Sequence, residues 1–246
     1  GGMIVGLKAS MTAEKKVKRD VLGSWGRDGC LDPELLKKQV FNPGQKFPLE
    51  LAMADDFINQ LLFSLWYGGG LSLEIDEKLI GGNVDLSSFG VSNLTVTTDF
   101  WLPPILNTCV DPKNVKIQIG DLKMNAKMNL SETPVDIDLF ITTQATAELK
   151  AVKNPKTGET EIGIALKEID FLELEVININ AEAKNLEDLF VKLIKTVMMP
   201  KLIDSLGSGL GSFPLPAFDL SGFSPQIPKG TSLALAIQKI ENKNGY

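Results

Sequence analysis

The 246-residue sequence contains no histidine, the side chain that most often moves protons near neutral pH. Its absence removes the serine–histidine and cysteine–histidine catalytic arrangements. Most zinc sites are also removed, because the two cysteines cannot supply four ligands. The glycine-rich phosphate-binding patterns and the GxSxG nucleophile motif are missing as well. We therefore expect a protein that is not an enzyme and that uses no metal or cofactor.

Acidic side chains outnumber basic ones, 31 to 25, so the net charge is −6 and the pI is about 4.9. The basic cluster EKKVKRD, residues 14–20, contains two acids of its own. This balance argues against nucleic acid as a partner and against strong attraction to anionic membrane surfaces. No run of eighteen apolar residues occurs, so no transmembrane helix is expected.

The two cysteines, Cys30 and Cys109, lie in turn-like contexts, GRDGCLDP and NTCVDP. Cysteines of an exported chain can pair, whereas those of a cytosolic chain stay free. The sequence alone leaves both outcomes open, because it does not determine the distance between the two residues.

A helix with a wide apolar face is predicted over residues 53–67, ahead of three glycines and an alternating strand, LSLEI. At 100° per residue, the apolar side chains cover half of the helix circumference, and an ordinary surface helix needs a narrower stripe. These side chains are Phe57, Ile58, Leu61, Leu62, Leu65 and Trp66. Such a helix must be covered on more than one side.

Long alternating strands are predicted for the middle of the chain, over residues 94–102, 115–130 and 134–152 and in a return arm over 159–183. The apolar phase flips at Gly120-Asp121, and it flips three times in the return arm. Those three positions are Glu168-Ile169, the vicinity of Phe171-Leu172, and Val176-Ile177. A phase flip indicates a β-bulge, and repeated bulges curve a sheet.

A second long helix is predicted over residues 185–206, with Asn185 as N-cap and a kink at Pro200. A loop rich in proline and phenylalanine follows, and then a final strand over 231–240. The predicted fold is therefore α+β, with a long curved antiparallel sheet rolled around one long helix and a second helix near it.

Two phrases resemble the bactericidal/permeability-increasing and lipopolysaccharide-binding protein family of the tubular lipid-binding superfamily. The first is similar to the helix that opens the second module of that family, with the residues Asn59, Leu62, Phe63, Leu65, Trp66, Gly69 and Leu71. The second, FPLPAFDLSGF followed by IPKGTSLALAI, resembles the family's closing loop and strand. The basic tip of the antibacterial members has no counterpart here, and the family's disulfide is not obviously reproduced.

The resemblance implies a tubular lipid-binding module over residues 46–246, preceded by an N-terminal strand and linker over 1–45 that would be the remnant of a central sheet. It also implies an acyl lipid, phospholipid or fatty acid, in an apolar slot between helices and sheet. The slot residues are Phe57, Leu61, Leu62 and Leu65 of the first helix, Val135, Ile137, Leu139 and Ile141 of the sheet, and Leu189, Phe190, Leu193, Ile194, Val197 and Met198 of the second helix.

The same resemblance implies an extracytoplasmic location, either periplasmic, outer-membrane-associated or secreted. Transient membrane contact and a preceding module of the same chain are expected with it. The alternative is a structural or protein-interaction module of the same fold with a collapsed slot, in which every apolar residue named above is ordinary core.

Overall fold

The structure is a computed structural model, and it describes residues 10–14, 17, 20, 22–24, 29–30, 51–76, 87, 90–109, 114–154, 158, 160–180, 192, 213–214, 218–219, 221, 224, 226–233 and 239–242. These residues form a large antiparallel sheet, a helix and a small two-stranded sheet. The helix α1 spans Asp55–Tyr67, and the strands are β1 Leu73–Asp76, β2 Val91–Phe100, β3 Ile105–Asn107, β4 Val115–Leu130, β5 Thr133–Lys153, β6 Thr160–Ile179, β7 Phe213–Pro214, β8 Phe218–Asp219 and β9 Ser232–Leu233.

The helix α1 begins two residues later than predicted, because Ala54 is still extended, with φ −66° and ψ 143°. Asp55 and Asp56 occupy its first turn, where negative charge is favourable at the positive helix end. The triple glycine ends the helix as predicted, and Gly69 has a φ of +77° that glycine adopts readily. The following strand, β1, begins at Leu73.

The large sheet has the strand order β1-β2-β4-β5-β6-β7, and β3 pairs with β4 beside this path. Its three longest strands contain 16, 21 and 20 residues, so the predicted long arms are confirmed. All pairs are antiparallel, and β4, β5 and β6 follow one another as hairpins. The sequence did not predict β3, a three-residue strand that follows two prolines.

The predicted bulges are present in the pairing register. The pairing of β4 with β5 shifts between Ile119 and Leu122, where Asp121 has a φ of +45°. Three shifts between β5 and β6 leave Lys167, Asp170 and Ile177 unpaired, each within a residue or two of a predicted phase change. Bulges bend strands and increase their twist, and the sheet accordingly curls into half a barrel.

The described part of the chain is thus dominated by sheet, with α1 as the helix whose bounds are known. The second helix of the predicted α+β arrangement, over 185–206, lies outside the described residues except for Lys192, which has helical backbone and an exposed side chain. Most of the predicted N-terminal segment 1–45 also lies outside them. Of the final strand, Ser232 and Leu233 are described as β9.

Candidate functional site

The curled sheet has an apolar face, called the inner face below, that is built by alternation along β2, β4, β5 and β6 between their bulges. From Val135 to Ile141 of β5 every second side chain is buried, and the opposite side chains of β4 are buried with them. Trp66 of α1 and Leu71 pack against this face. The buried residues of the cluster on the strands are Val91, Leu94, Val96, Phe100, Ile119, Leu122, Met124, Ala126, Met128, Leu130, Val135, Ile137, Leu139 and Ile141.

A second buried cluster lies under the N-terminal half of α1. Ile58 and Leu62 of the helix pack there against Leu106, Val115 and Ala147. The helix therefore contacts two separate parts of the sheet, with Trp66 in the first cluster and Leu62 in the second. Its wide apolar face is used on more than one side, as its pattern predicts.

The predicted slot residues fall into three groups. The four β5 residues, Val135, Ile137, Leu139 and Ile141, are buried on the inner face, with exposures of 0–3%. Leu62 is buried in the second cluster, while Phe57, Leu61 and Leu65 are partly exposed, and of these Leu65 packs against the first cluster. The six residues of the second helix, Leu189, Phe190, Leu193, Ile194, Val197 and Met198, lie outside the described residues.

Burial of the inner face decreases toward one edge of the sheet. Leu172, Leu174, Val176 and Ile179 of β6 pack against the first cluster but remain partly exposed, whereas their β5 neighbours are buried. The apolar surface therefore continues from the buried interior to β6, where it is partly exposed. An apolar molecule bound along β6 would extend the core without displacing any buried side chain.

Three side chains of α1 hold the helix in place through hydrogen bonds, and the hydrophobic pattern did not reveal these bonds. Asn59 exchanges two hydrogen bonds with the backbone of Leu106, each 2.8 Å long. The Thr108 hydroxyl donates to the buried carboxylate of Asp55 at 3.1 Å. Trp66 donates its indole N–H to the Phe100 carbonyl at 2.6 Å. Asn59 and Trp66 belong to the first phrase that resembles the lipid-binding family. The sequence did not show which groups they would bond.

The two cysteines form a disulfide, with their Cα atoms 5.4 Å apart and a sequence separation of 79. Cys109 follows Thr108, the residue that binds Asp55, so the disulfide links residue 30 to the segment on which α1 is anchored. Disulfides persist in oxidising compartments and are rare in the cytosol of mesophiles. The open question left by the sequence is thereby answered in favour of pairing.

A polar network on the sheet joins three neighbouring strands. Lys116 Nζ lies 2.9 Å from the carboxylate of Asp170, and the Thr146 hydroxyl donates to the same carboxylate at 2.8 Å. Asp170 is the unpaired residue of a β6 bulge, so the network fixes that bulge against β4 and β5. The three side chains satisfy one another, and their arrangement indicates a structural role.

Within the described ranges, no three side chains of His, Cys, Asp or Glu lie together where they could hold a metal ion. The helix segments in those same ranges include none that is long and apolar enough to cross a bilayer. Comparison of the sequence with models of known protein families and with curated proteins found no match. The family resemblance described above therefore stays a prediction.

Proposed function

We propose that this protein is a non-enzymatic lipid-binding module of the tubular type, which holds an acyl chain of a phospholipid or fatty acid against the inner face of its sheet. The observation that carries the proposal is the row Leu172, Leu174, Val176 and Ile179, which is apolar, packs against the core and is still partly exposed. The acyl chain would cover this row, and the partly exposed Phe57, Leu61 and Leu65 of α1 are the proposed helix contacts. The predicted second helix, 185–206, would complete the slot.

The hydrophobic effect is sufficient to drive such binding. Each methylene group removed from water contributes about 0.8 kcal/mol, so a sixteen-carbon chain contributes on the order of 10 kcal/mol before the costs of association. No positive charge is needed, because the headgroup stays in water at the mouth of the slot. The acidic composition makes lipopolysaccharide a poor ligand, since its phosphates would be repelled by a net charge of −6.

The disulfide supports a location outside the cytoplasm, in a periplasm, at an outer membrane or in a secreted form. In such a compartment, a protein that exchanges acyl lipid would touch a membrane transiently. A preceding module of the same chain, as the resemblance implies, is part of this proposal.

The alternative function is a structural or protein-interaction module, and one specific observation favours it. The predicted far wall of the slot, Val135, Ile137, Leu139 and Ile141, is already almost fully buried by protein. In this alternative, the inner face is ordinary core along its whole length, and no lipid accompanies the protein.

Native mass spectrometry of the gently purified protein tests the proposal, together with the variant Val176→Trp. A larger side chain at this partly exposed inner position would occupy the acyl site, so we expect loss of the bound lipid mass with little change in melting temperature. The control is Ile177→Trp, because Ile177 is 50% exposed in a bulge of the same strand. This variant is expected to retain lipid.

A protein that carries no lipid in native spectra and takes up none from phospholipid vesicles would contradict the lipid proposal and favour the interaction module. A lipid mass retained by Val176→Trp would move the site away from β6.

A further inference from the structure

Two aromatic side chains contact each other on the face of the sheet opposite the inner face, called the outer face below. Trp101 follows the last residue of β2, and Phe140 lies between the buried residues Leu139 and Ile141 of β5. The two ring centroids are 4.6 Å apart, and the ring planes are inclined at 70°. Trp101 is 40% exposed and Phe140 is partly exposed, so solvent reaches the pair. Two nearly perpendicular ring faces form a corner, which we call the aromatic corner.

The aromatic corner is built on three neighbouring strands. The sheet order places β4 between β2 and β5, so Trp101 reaches Phe140 across β4. The Trp101 backbone N–H donates at 3.1 Å to the carbonyl of Asp121, which lies in the bulge of β4. Asp121 is also attached to β5, because its backbone N–H donates to the Thr142 hydroxyl at 3.5 Å. The paired strands and this bulge therefore fix the backbone of both aromatic residues.

Two carboxylates border the aromatic corner on the β6 side. Glu175 is directly opposite Phe140 in the pairing of β5 with β6, and Glu173 is opposite Thr142. Directly opposite residues have Cβ atoms about 4.5–5.5 Å apart, and residues two positions along a strand lie on the same face. Both glutamates are exposed. An ion held against the Phe140 ring would therefore lie near two negative charges.

The β2 and β4 side of the corner adds further acidic residues. Asp99 lies two residues before Trp101 and is partly exposed, and Asp121 is exposed beside the Trp101 backbone. One lysine, Lys123, is directly opposite both Asp99 and Phe140. Asp99 offsets the positive charge of Lys123, so the negative charges around the corner exceed the positive one. This surface repels anions and attracts cations.

The shape of the corner selects among organic cations. The faces of Trp and Phe rings carry negative charge density and attract a cation placed over them. A planar guanidinium stacks on one ring face, whereas a rounded quaternary ammonium group contacts two perpendicular faces at once through its methyl groups. Such a group has no N–H to donate, so ring faces and nearby carboxylates satisfy it without hydrogen bonds.

We propose that the aromatic corner formed by Trp101 and Phe140 is a binding site for a quaternary ammonium group. The group can belong to a soluble molecule such as choline or to the headgroup of phosphatidylcholine at a membrane surface. The proposal concerns the outer face, and it is independent of acyl-chain binding on the inner face.

Choline is the probe, and its binding to the whole chain is followed by the indole N–H signal of Trp101 in nuclear magnetic resonance spectra. The chain contains three tryptophans, and the signal that disappears in Trp101→Phe identifies the one that reports on the corner. We expect a saturable shift of this signal with choline. We expect no shift with 3,3-dimethylbutanol, which has the shape of choline without its charge.

Substitutions test the ring face and the carboxylates separately. Phe140→Leu keeps an apolar side chain but removes the ring face, and it should weaken choline binding by about threefold or more. Its control is Phe171→Leu, because Phe171 is 47% exposed on the same face and is paired with Gln144, away from the corner. Glu173→Gln/Glu175→Gln should also weaken binding by about threefold. The matched control Glu132→Gln/Glu168→Gln removes two exposed charges elsewhere and should change binding by less than about twofold.

Sedimentation with phosphatidylcholine vesicles distinguishes the two sources of the ammonium group. Cosedimentation that is lost in Phe140→Leu would assign a lipid headgroup. Choline binding, with cosedimentation either absent or unchanged in that variant, would assign a soluble ligand.

Three results would overturn the proposal. The first is a Trp101 signal that choline does not shift, or that choline and 3,3-dimethylbutanol shift equally. The second is equal weakening by the two double variants, which would mean that choline is attracted by net charge alone. The third is tighter binding of methylguanidinium than of choline, which would assign the corner to an arginine side chain of a partner protein.

Discussion

Asn59 of α1 makes the hydrogen bonds with β3 that a neighbouring β-strand would otherwise make. Leu106 directs its backbone N–H and C=O away from β4 and toward the Asn59 amide, which both donates and accepts. Leu106 is fully buried, so no water can replace these bonds. An amide is the side chain that can satisfy both backbone groups at once, which explains why a polar residue lies beside the apolar face of the helix.

We predict that Asn59→Ala lowers the free energy of unfolding by about 2–4 kcal/mol, because it leaves two buried backbone groups without partners. The measurement is urea unfolding followed by circular dichroism. Gln60→Ala is the matched control, since Gln60 is the exposed next residue of the same helix, and a change within about 0.5 kcal/mol is expected there. Equal effects of the two substitutions would show that Asn59 contributes only helix propensity.

At the scale of whole elements, the C-terminal end of α1 is contacted by Val17, which lies in the N-terminal part of the chain. Val17 donates its backbone N–H to the Tyr67 carbonyl at 2.9 Å, which satisfies one of the carbonyls left free at the helix end. Gly69 has a positive φ, and a methyl group built there would lie 2.6 Å from Val17 Cγ2. The triple glycine thus ends the helix and also leaves room for the chain that crosses it.

Substitution of Gly69 by alanine should destabilise the protein by about 2 kcal/mol or more, through a strained positive φ and a clash with Val17. Gly158→Ala separates the two causes, because Gly158 has a similar φ of +72° with no atom within 4 Å of the added methyl group. We expect that variant to lose about 1 kcal/mol. Thermal unfolding measured by calorimetry compares them, and a Gly158→Ala loss as large as that of Gly69→Ala would exclude a role for the Val17 contact.

For the molecule as a whole, the Cys30–Cys109 disulfide closes a long loop that includes α1 and β1 to β3. Loop closure restricts the unfolded chain more strongly as the loop becomes longer, and for a loop of this length the chain-entropy model gives about 4.5 kcal/mol. The bond also fixes residue 30 beside the segment that anchors α1 through Asp55 and Asn59.

Removal of the disulfide by Cys30→Ser/Cys109→Ser should lower the free energy of unfolding by about 2–5 kcal/mol. Dithiothreitol should destabilise the parent protein by a similar amount and should leave the double variant unchanged. Guanidinium unfolding in the presence and absence of the reductant measures both effects. Parent protein whose stability is indifferent to dithiothreitol would show that the bond is not formed in solution.

Much of the sheet could be predicted from the sequence because each strand carries its own two-residue period. Gly120-Asp121 marked a bulge, and the phase changes near residues 168, 171 and 176 marked three more, since a single unpaired residue reverses every side chain after it. The wide apolar face of α1 was likewise a local pattern. These features depend on neighbours in sequence, and the lack of histidine was visible from composition alone.

Contacts between residues that are distant in sequence were decided only by the tertiary structure. Asn59 with Leu106, Asp55 with Thr108, and Cys30 with Cys109 have no periodic signal, because each partner's position is determined by the folding of the chain between them. The division of α1 between two clusters, and the decrease in burial from β5 to β6, likewise depend on which distant segments pack together. A sequence pattern shows that a face is apolar, but the packing of distant segments determines how much of that face remains exposed.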